Sequence, residues 1–500
     1  MPASPIQPLV LDSIGVYGLN RQSSPSSLEH QWLTSAQNVM LDDRGRITAR
    51  AGVKQVTVNI GTSSSNSEII KSLGEYRSAT GVATIYAGSN ASIYKLTTTN
   101  TPYTLDAQSF TGTPQTITDG NWEFTNFNNK FYGVQASHKI IYFDGTNWMD
   151  LEDAEGYAAP AGVTDFYPTS ILGDFGRLWV GGIAEAKDVV YYSDTLIGHK
   201  FSTGASGSVD LKTVWGGDEI VALAGFMGKL VIFGKQNIAI YNGADDPSTM
   251  SLDEVIAGMG CAARDSVQIL GDDILFLSNS GLRSLRRTMV QDKMPLTDLS
   301  RNIKDEITTH IVNADMDKVK GQFCLCGGFY LLSLPDRNIV YVFDFKQKTP
   351  DGTPRITTWN FDSGKTPRSI LSTADGKMHL GLGNSDYEGR IGLYEDYYDV
   401  IKTDVSATYA TQTPCEAAGH TWESTGSKCW SSTQNSYQAD FKTVWLDFGD
   451  PSSSKLLKRF LAVISGGKNM DVTMNWYRDY GVEADSANFT LSPTTSGTAY

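Results

Sequence analysis

The hydrophobic and polar positions of this chain repeat one pattern about seven times between residues 85 and 394. Each copy has a short apolar or aromatic run, a glycine or polar turn, and a second aromatic run that ends near an acidic residue. Runs of this kind predict paired antiparallel strands. Equivalent anchors recur every 44 to 56 residues, at Ile85, Phe131, Leu178, Leu230, Ile274, Tyr330 and Met378.

This spacing is close to the roughly 40–50 residues of a four-stranded propeller blade. One such sheet cannot bury both of its faces alone, so these units stack around an axis and cover each other's strand edges. The pattern predicts an all-β fold with a β-propeller of about seven blades over residues 61–396. An N-terminal segment, residues 1–60, and an additional C-terminal antiparallel β domain, residues 397–500, complete the predicted organisation.

The N-terminal segment predicts a helix, a hairpin and an extended run. Leu28, Trp32 and Ala36 recur at four-residue steps after a capping-box signature, which predicts a short amphipathic helix. The next residues predict a hairpin that turns over residues 43–45. We expect the following run, residues 53–60, to close the ring by pairing with the final blade.

A second helix is predicted between the fifth and sixth copies of the pattern. Leu299, Ile303, Ile307 and Ile311 mark one helical face at four-residue steps. Such a helix either packs on its own domain or contacts a neighbouring subunit, and the pattern leaves both readings open.

The C-terminal part predicts three strands of one antiparallel sheet. They cover residues 441–448, 460–464 and 472–477, and polar turns separate them. An inserted polar loop, residues 411–436, precedes them.

The five cysteines predict two kinds of site. Cys415 and Cys429 bracket the inserted loop, which has little core of its own and would gain a few kcal/mol from a disulfide. A reducing cytosol would keep this candidate disulfide open, so we expect the bond only after release from a cell. Cys324 and Cys326 lack further metal-type ligands nearby, and we expect buried free thiols there.

Charge and hydropathy narrow the functional class. The chain carries 41 Lys and Arg against 55 Asp and Glu, for a net charge of −14. This acidic excess argues against a protein that binds nucleic acid by neutralising its phosphates. It is compatible with a channel wall that nucleic acid slides past, because like charges repel at short range. Solubility of the fold explains the excess equally well. With no apolar run of membrane-spanning length and no leader pattern, we expect a chain made in the cytoplasm without membrane insertion.

The sequence contains no recognisable catalytic or metal-binding motif. The six histidines are scattered and form no metal-ligand spacing. Asn313, Asp315 and Asp317 imitate the start of a calcium loop, but Lys318 and Cys324 stand where the turn glycine and the bidentate glutamate belong. We therefore expect no catalytic residues, no metal, no cofactor and no enzymatic activity.

Four stretches of the chain share features with one known family. They are residues 19–52, residues 261–307, residues 330–345 followed by 357–361, and residues 441–460. The first stretch has Ala36 and Asn38, then an acidic turn with Gly45, then Arg50 and Gly52. Together these stretches resemble the tail nozzle proteins of short-tailed bacteriophages, also called tail tubular or stabilisation proteins.

The resemblance implies a structural subunit of a ring, typically a hexamer, in the virion tail. Such a ring continues the DNA exit channel below the portal and its adaptor, retains the genome and then conducts it. Implied partners are copies of the same chain, the adaptor ring, tail fibres or spikes, and double-stranded DNA that passes through the lumen without specific binding. Assembly would take place in the host cytoplasm.

Arginines and tryptophans in the repeats have a structural and a functional interpretation. Arg283, Arg286 and Arg287 either form a solvated basic turn or meet acidic residues of a neighbour or DNA phosphates. The tryptophans serve either as core packing or as a sugar-binding platform, and they are Trp122, Trp148, Trp179 and Trp359.

Two alternative functions stay open. One is a carbohydrate-degrading propeller enzyme of the lyase or sialidase type, which needs clustered acid, base and arginine groups at the mouth of the propeller. The other is a propeller scaffold for protein–protein binding.

Overall fold

Short antiparallel sheets follow one another along most of the chain in the computed structural model. The structure describes residues 11–42, 44–60, 69–99, 101–286, 298–325, 327–361, 366–383, 389–396, 398–424, 426–446, 464, 470–478 and 484–491.

Five strands come from the N-terminal segment. They are β1 (Gly18–Leu19), β2 (Trp32–Gln37), β3 (Val39–Leu41), β4 (Ile47–Ala49) and β5 (Gly52–Gln55).

Seven sheets, blades 1 to 7, follow along the chain. Blade 1 contains β6 (Ser72–Arg77), β7 (Ala83–Gly88), β8 (Ile93–Thr97) and β9 (Thr104–Ala107). Blade 2 contains β10 (Phe110–Thr111), β11 (Glu123–Phe127), β12 (Lys130–Gln135), β13 (His138–Phe143) and β14 (Trp148–Asp150). Blade 3 contains β15 (Ser170–Asp174), β16 (Arg177–Gly181), β17 (Val189–Tyr192) and β18 (Gly207–Asp210). Blade 4 contains β19 (Ile220–Phe226), β20 (Lys229–Gly234), β21 (Asn237–Asn242) and β22 (Ser251–Ala257).

The remaining blades contain fewer consecutive strands or strands from the chain ends. Blade 5 contains β23 (Gln268–Leu270), β24 (Asp273–Ser278) and β25 (Gly281–Ser284). Blade 6 contains β26 (Lys320–Cys324), β27 (Phe329–Leu334), β28 (Ile339–Lys348) and β29 (Pro354–Trp359). Blade 7 contains β30 (Ser369–Ser372), β31 (Met378–Leu382) and β32 (Arg390–Asp396), with β5 beside β32.

The innermost strand of each blade is its first strand in the antiparallel order. β6, β11, β15 and β19 contact one another in sequence, and so do β23, β26 and β30. Blades 4 and 5 share a buried cluster in which the ring centroids of Phe233 and Phe276 lie 5.2 Å apart. Contact between β30 and β6 closes the ring. Since every blade thereby has two neighbours, the predicted all-β propeller is confirmed.

The blades differ in regularity. Five of them hold four consecutive antiparallel strands. In blade 5, Asp298 bridges to Arg283 in the position of a fourth strand. Blade 7 is completed by β5, whose Gln55 and Val53 pair with Gly392 and Tyr394 of β32. The pairing predicted for the run 53–60 is therefore confirmed, and it joins the N-terminal segment to the last blade.

Tight hairpins on one face connect the innermost strand to the next strand in several blades. In blade 3 the two turn residues, Phe175 and Gly176, both have positive φ, and Met227 and Gly228 repeat this in blade 4. Loops with two positive φ values match the right-handed twist of paired strands, so they keep the blades regular.

Aromatic side chains fill the space between blades 1 and 2. Tyr86 of blade 1 packs edge to face on Trp148 of blade 2, with ring centroids 5.1 Å apart. Phe131 and Phe143 of blade 2 belong to the same buried cluster. Edge-to-face contacts add to the free energy that apolar burial supplies, which explains the aromatic content of the repeats.

Residues 32–37 of this segment form strand β2 and Leu28 lies in a bend before it, so the predicted helix is wrong. β2 lies between β1 and a C-terminal strand, β36 (Asp440–Thr443), and Leu33 and Ala36 are buried there. β1 pairs with β29 at the edge of blade 6, and β2 pairs with β1, with β36 and, at Gln37, with β29. Because an isolated short helix is marginal in water, this pairing outweighs the helical spacing of the apolar residues.

The predicted hairpin after this strand is confirmed by the pairing of β3 with β4. Gly45 in its turn has a φ of +74°. The Asp42 carboxylate accepts hydrogen bonds from the backbone N–H groups of Arg44 and Arg46. Asp43 lies outside the described residues.

Three α-helices interrupt the strands of the described ranges: α1 (Lys212–Trp215), α2 (Lys304–Val312) and α3 (Gln412–Ala417). None of them is long and apolar enough to cross a membrane. Helix α2 confirms the helix predicted from the isoleucine pattern. Leu299, Ile303, Ile307 and Ile311 are all buried in one cluster with residues of blades 5 and 6, so α2 packs on its own propeller.

Four of the C-terminal strands extend blades 6 and 7, and the other two form a separate hairpin. They are β33 (Asp399–Asp404), β34 (Thr421–Glu423), β35 (Lys428–Asn435), β36 (Asp440–Thr443), β37 (Met470–Tyr477) and β38 (Ala484–Leu491). β33, β35 and β34 continue blade 7 beyond β5, whereas β36 pairs with β2 at the edge of blade 6.

The predicted three-stranded C-terminal sheet is therefore wrong. Part of the run 441–448 pairs with β2, and the run 472–477 pairs with β38 in a two-stranded hairpin. The run 460–464 lies outside the described residues except for Ile464, which is not in a strand. The sequence pattern showed the strands but not their partners, because the free edge beside β2 exists only in the folded propeller.

The packing of α2 generates a stability prediction. Ile307→Ala should lower the free energy of unfolding by about 2–4 kcal/mol, because a fully buried side chain leaves a cavity. The matched control, Val312→Ala on the same helix, removes a side chain that is 74% exposed and should change stability by under about 0.5 kcal/mol. Denaturant unfolding measures both, and equal losses would contradict packing of this face on the propeller.

Candidate functional site

The N-terminal segment, blade 6 and the C-terminal strands meet at one buried polar cluster, the terminal junction. It consists of Asn38, Arg50, Phe361, Asp399 and Tyr437. Asn38 is buried and has a φ of +54°, which turns its side chain between two segments. Its amide nitrogen donates to the Gln438 carbonyl at 2.8 Å, and its amide oxygen accepts from Arg50 Nε at 3.2 Å.

Arg50 is the centre of the terminal junction. Its side chain is fully buried, and two of its nitrogens bind the two carboxylate oxygens of Asp399 at 3.0 and 2.8 Å. The guanidinium lies over Tyr437 at 4.0 Å and Phe361 at 4.8 Å from the ring centroids. A planar guanidinium satisfies both the bidentate pair and the stacking, so lysine is a poor substitute.

Close backbone approach fixes the position of the junction. A Cβ atom on Gly52 would lie 2.2 Å from the Tyr398 carbonyl oxygen. The Val53 N–H donates to Asp399 at 2.9 Å, so the carboxylate that holds Arg50 also holds the start of the closing strand. Asn38, Arg50 and Gly52 belong to the resemblance found in the sequence, and the structure gives each of them a structural role.

A second polar cluster, the axial network, joins blades 2, 3, 5 and 6 at the starts of their inner strands. It consists of Asn121, Glu123, Arg264, Asp265 and Lys320. Arg264 Nη1 donates to the Thr169 carbonyl of blade 3 at 2.8 Å, and Nη2 donates to the Asn121 side chain of blade 2 at 3.2 Å. Arg264 therefore reaches across the ring from the turn that precedes blade 5.

Asp265 ties the two cations of the axial network together. Its carboxylate accepts from Arg264 Nε at 2.8 Å and pairs with Lys320 Nζ. Although burial favours the neutral acid, these two cations hold the pKa of Asp265 well below its usual range. The Asn121 side chain accepts from Lys320 as well and donates to the Asp317 carbonyl at 3.0 Å.

Glu123 is the titratable member of the axial network. Burial raises its pKa to about 7, with a smaller contribution from Asp265, and Arg264 opposes the rise. One carboxylate oxygen accepts the backbone N–H of Ile171 at 2.9 Å. The charge of the network therefore changes near neutral pH.

The axial network was not predicted from the sequence. Its members are far apart in the chain, and each stands before or at the beginning of an inner strand. Equivalent positions of the blades in a propeller face the same axis. The only signal for the network would have been an alignment of the repeats that places its members at such equivalent positions.

The three candidate arginines do not form one site. Arg283 is 3% exposed and lies 3.7 Å from the Asp298 carboxylate, so it is part of blade 5 rather than a surface for DNA or a neighbour. Arg286 is exposed and forms an ion pair with Asp272. Arg287 lies outside the described residues.

The four tryptophans are core residues, and the interpretation as a sugar-binding platform is wrong. Trp122, Trp148, Trp179 and Trp359 are all buried. Trp359 stacks on Tyr394 with centroids 4.9 Å apart, which joins blade 6 to blade 7.

Disulfide bonds involve cysteines of both sequence pairs. Cys415 of α3 and Cys429 of β35 form a disulfide, and both are buried. Cys324 is also disulfide-bonded, so the expectation of a free thiol there is wrong. Cys326 lies outside the described residues. The free cysteine of the described part, Cys261, is buried.

The calcium-like segment is an ordinary turn. Asp315 accepts the backbone N–H of Asp317 and pairs with Lys318 at 3.2 Å. Lys318 also pairs with Asp336 at 3.2 Å. Within the described ranges, no group of three or more His, Cys, Asp or Glu side chains is placed to hold a metal ion.

The terminal junction generates a stability prediction. Arg50→Ala should lower the free energy of unfolding by about 3 kcal/mol or more, because it leaves Asp399 unpaired and removes the stacking. Arg50→Lys should lose a smaller part. The control Arg77→Ala, at an exposed pair with Glu75, should cost under about 1 kcal/mol in the same denaturant unfolding assay. A loss at Arg50 no larger than at Arg77 would contradict the central position of Arg50.

Glu123 generates a pH prediction. Its pKa is raised from 4.5 to about 7, so its ionisation costs stability as pH rises between these values. Glu123→Gln keeps an oxygen that accepts from Ile171 but stays neutral. The variant should match the wild type near pH 4.5 and exceed its unfolding free energy by on the order of 2 kcal/mol at pH 8. A difference that is constant with pH would contradict the raised pKa.

Comparisons with known proteins found no family match, and the structural likenesses are remote. No protein-family model matches this chain, and a search of curated proteins finds no significant match. PorZ, a surface component of the type-IX secretion system of Porphyromonas gingivalis, is 10% identical over 69% of this chain with a TM-score of 0.38, and this chain spans 38% of the PorZ chain. The Pan2 WD40 domain of Neurospora crassa is 9% identical over 70% of this chain and 97% of that domain, with a TM-score of 0.39. The AfRom2 CNH domain is 8% identical over 65% of this chain and 94% of that domain, with a TM-score of 0.37.

Proposed function

We propose that this chain is a structural subunit of the tail nozzle of a short-tailed bacteriophage. Copies of the chain would form a ring, with six as the expected number, below the adaptor ring of the portal. The ring would retain the packaged genome and conduct it during ejection. Tail fibres or spikes would bind its outer surface.

One observation carries the proposal: the described parts of the four stretches that resemble nozzle proteins lie next to one another in the fold. Residues 19–52, 261–307 and 330–345 all contribute side chains to one buried cluster. The fourth stretch, residues 441–460, begins in β36, which pairs with β2 of the first stretch. Stretches that are distant in sequence but form one core are expected to be retained together, whereas chance similarities would be scattered over the blades.

Polar contacts tie the same unit together. Arg21 pairs with Glu306 of α2 at 2.5 Å, and Tyr341 of blade 6 donates to the other oxygen of Glu306 at 3.0 Å. The Thr358 hydroxyl donates to the Ala36 carbonyl at 3.0 Å. These contacts fix the N-terminal segment against blade 6, so the unit behaves as one block.

The axial network bears on where DNA would pass. Arg264, Asp265 and Lys320 reach across the propeller axis, and the axis of one chain is therefore not a conduit. In the proposed ring the channel lies between subunits, where head-to-tail contacts close a tube. The net charge of −14 suits a lumen that DNA slides past without binding.

The same network favours a second candidate, a carbohydrate-degrading propeller enzyme. Glu123 has a pKa near 7 and lies close to Arg264 and Asp265, which is the combination of acid, base and arginine that such an enzyme needs. These groups bind one another and the backbone, which favours a bracing role. A propeller scaffold for other proteins is a third candidate, and exposed hairpin residues such as Met227 would suit it.

Reconstruction of the intact particle by electron microscopy tests the proposal. We expect the propeller in a closed ring around the exit channel, directly below the adaptor. Particles assembled without this chain should package DNA and then lose it, while particles that lack only the fibres should retain it. Absence of the chain from purified particles would contradict the proposal.

Turnover of host-surface polysaccharide by the purified chain tests the enzyme candidate. No turnover is expected from wild type or from Glu123→Gln. Turnover by the wild type that is lost in Glu123→Gln but kept in Arg77→Ala would instead establish the enzyme. Arg77 serves as the control because it lies far from the network in sequence and pairs with Glu75 at the surface.

A further inference from the structure

A cavity of about 490 Å³ opens between blades 2 and 3, away from the axial network. Its walls come from the β11–β12 hairpin, from the segment after β14 and from the loop after β17. A volume of this size accommodates a small molecule. The polar and positioning residues that line it include Asn128, Lys130, Tyr132, Gly156, His199 and Lys200.

Hydrogen bonds between the three segments hold the cavity open. Asn128 Nδ2 donates to the Leu196 carbonyl at 2.8 Å, which joins the hairpin of blade 2 to the loop of blade 3. The Ala158 N–H donates to the His199 carbonyl at 3.1 Å, and the Phe201 N–H donates back to Ala158 at 2.8 Å. The walls are therefore formed before any molecule enters.

Basic side chains converge on this cavity in a chain that is acidic as a whole. Lys130 and Lys200 are half-buried, and neither has a carboxylate within ion-pair distance in the part of the chain that the structure describes. The Lys130 ammonium lies 5.2 Å from the Tyr142 ring centroid, and the Lys200 side chain runs past Gly156. Glu155 also lines the cavity, but it is exposed to solvent.

His199 lies near both lysines. Burial lowers the pKa of its ring, and Lys130 and Lys200 lower it further. Two ammonium groups therefore create a positive potential at a third basic group. Two acidic groups lie nearby, Asp194, which interacts electrostatically with Lys200, and the exposed Glu155, but neither forms an ion pair with a cavity lysine among the described residues. Such a site stabilises an anion.

The Tyr132 side chain lines the same cavity. Tyr132 is only 1% exposed, and its ring stacks on Tyr142 with centroids 5.7 Å apart. Its hydroxyl lies close to Gly198, where a Cβ atom would come within 2.5 Å of it. A phenol hydroxyl in this position can donate a hydrogen bond to an acceptor that binds in the cavity.

We propose that this cavity is a binding site for a small anionic molecule whose carboxylate or phosphate group lies between Lys130 and Lys200 and accepts a hydrogen bond from the Tyr132 hydroxyl. Ile197 and the exposed Leu196 line the same cavity and would contact the body of the molecule. The site is independent of the proposed tail function, because it needs only one chain.

Titration of the full chain with inorganic phosphate, D-glucuronate and uncharged D-glucose tests the site. The readout is the pKa of His199, followed by NMR of labelled histidines and assigned with His199→Gln. Phosphate or glucuronate should saturate the site and raise the pKa of His199, because an anion favours the imidazolium. Whichever of the two binds more tightly identifies the anionic group. No rise with either anion, or an equal effect of glucose, would overturn the proposal.

Variants locate the site. Lys130→Gln and Lys200→Gln should each weaken binding about tenfold, because each removes a charge-assisted contact. Tyr132→Phe should weaken it as well, while Lys212→Gln, at an exposed lysine of α1, should leave it unchanged. Equal weakening by Lys212→Gln would overturn the assignment, since it would show a general charge effect. The wild-type titration is decisive if a cavity variant fails to fold.

Discussion

Closure of the ring is the constraint on which the rest of this structure depends. Each blade covers its faces only against two neighbours, so a gap between blades 7 and 1 would expose both. The segment that follows the terminal junction fills this gap. β5 pairs with β32 of blade 7, and the Val58 N–H reaches the Tyr103 carbonyl of blade 1 at 3.0 Å. Closure therefore depends on contacts between residues far apart in the chain, a kind of contact that slows folding.

Two polar clusters brace the closed ring in different places. The terminal junction fixes blades 6 and 7 to the chain ends through Arg50 and Asp399. The axial network fixes blades 2, 3, 5 and 6 to one another through Arg264 and Lys320. Buried charges are costly unless they are paired and hydrogen-bonded, and in both clusters nearly every charge has a partner. Bracing of this kind suits a subunit that carries load, which agrees with the proposed role in a tail.

The basic cavity differs from both clusters because, within the described residues, Lys130 and Lys200 form no ion pair. It lies at the hairpin face between blades 2 and 3, while the ion pairs of the axial network are internally satisfied. A positive site within an acidic chain attracts anions over a short range only, because salt screens the surrounding charge beyond about 8–10 Å. Its recognition would therefore depend on contacts inside the cavity, such as the Tyr132 hydroxyl, rather than on the overall field.

The sequence by itself determined the local elements. The repeat of aromatic runs predicted the propeller, the isoleucines at four-residue steps predicted α2, and the run 53–60 predicted the closing strand. These signals are periodic and arise within a few residues. Only the tertiary structure decided which strands pair with each other. β2 forms a strand because the sheet of blade 6 has a free edge beside it. β36 pairs with β2 at that edge instead of joining the predicted C-terminal sheet. Glu123 and Arg264 likewise meet only because inner strands from distant parts of the chain begin around one axis, which no local pattern specifies.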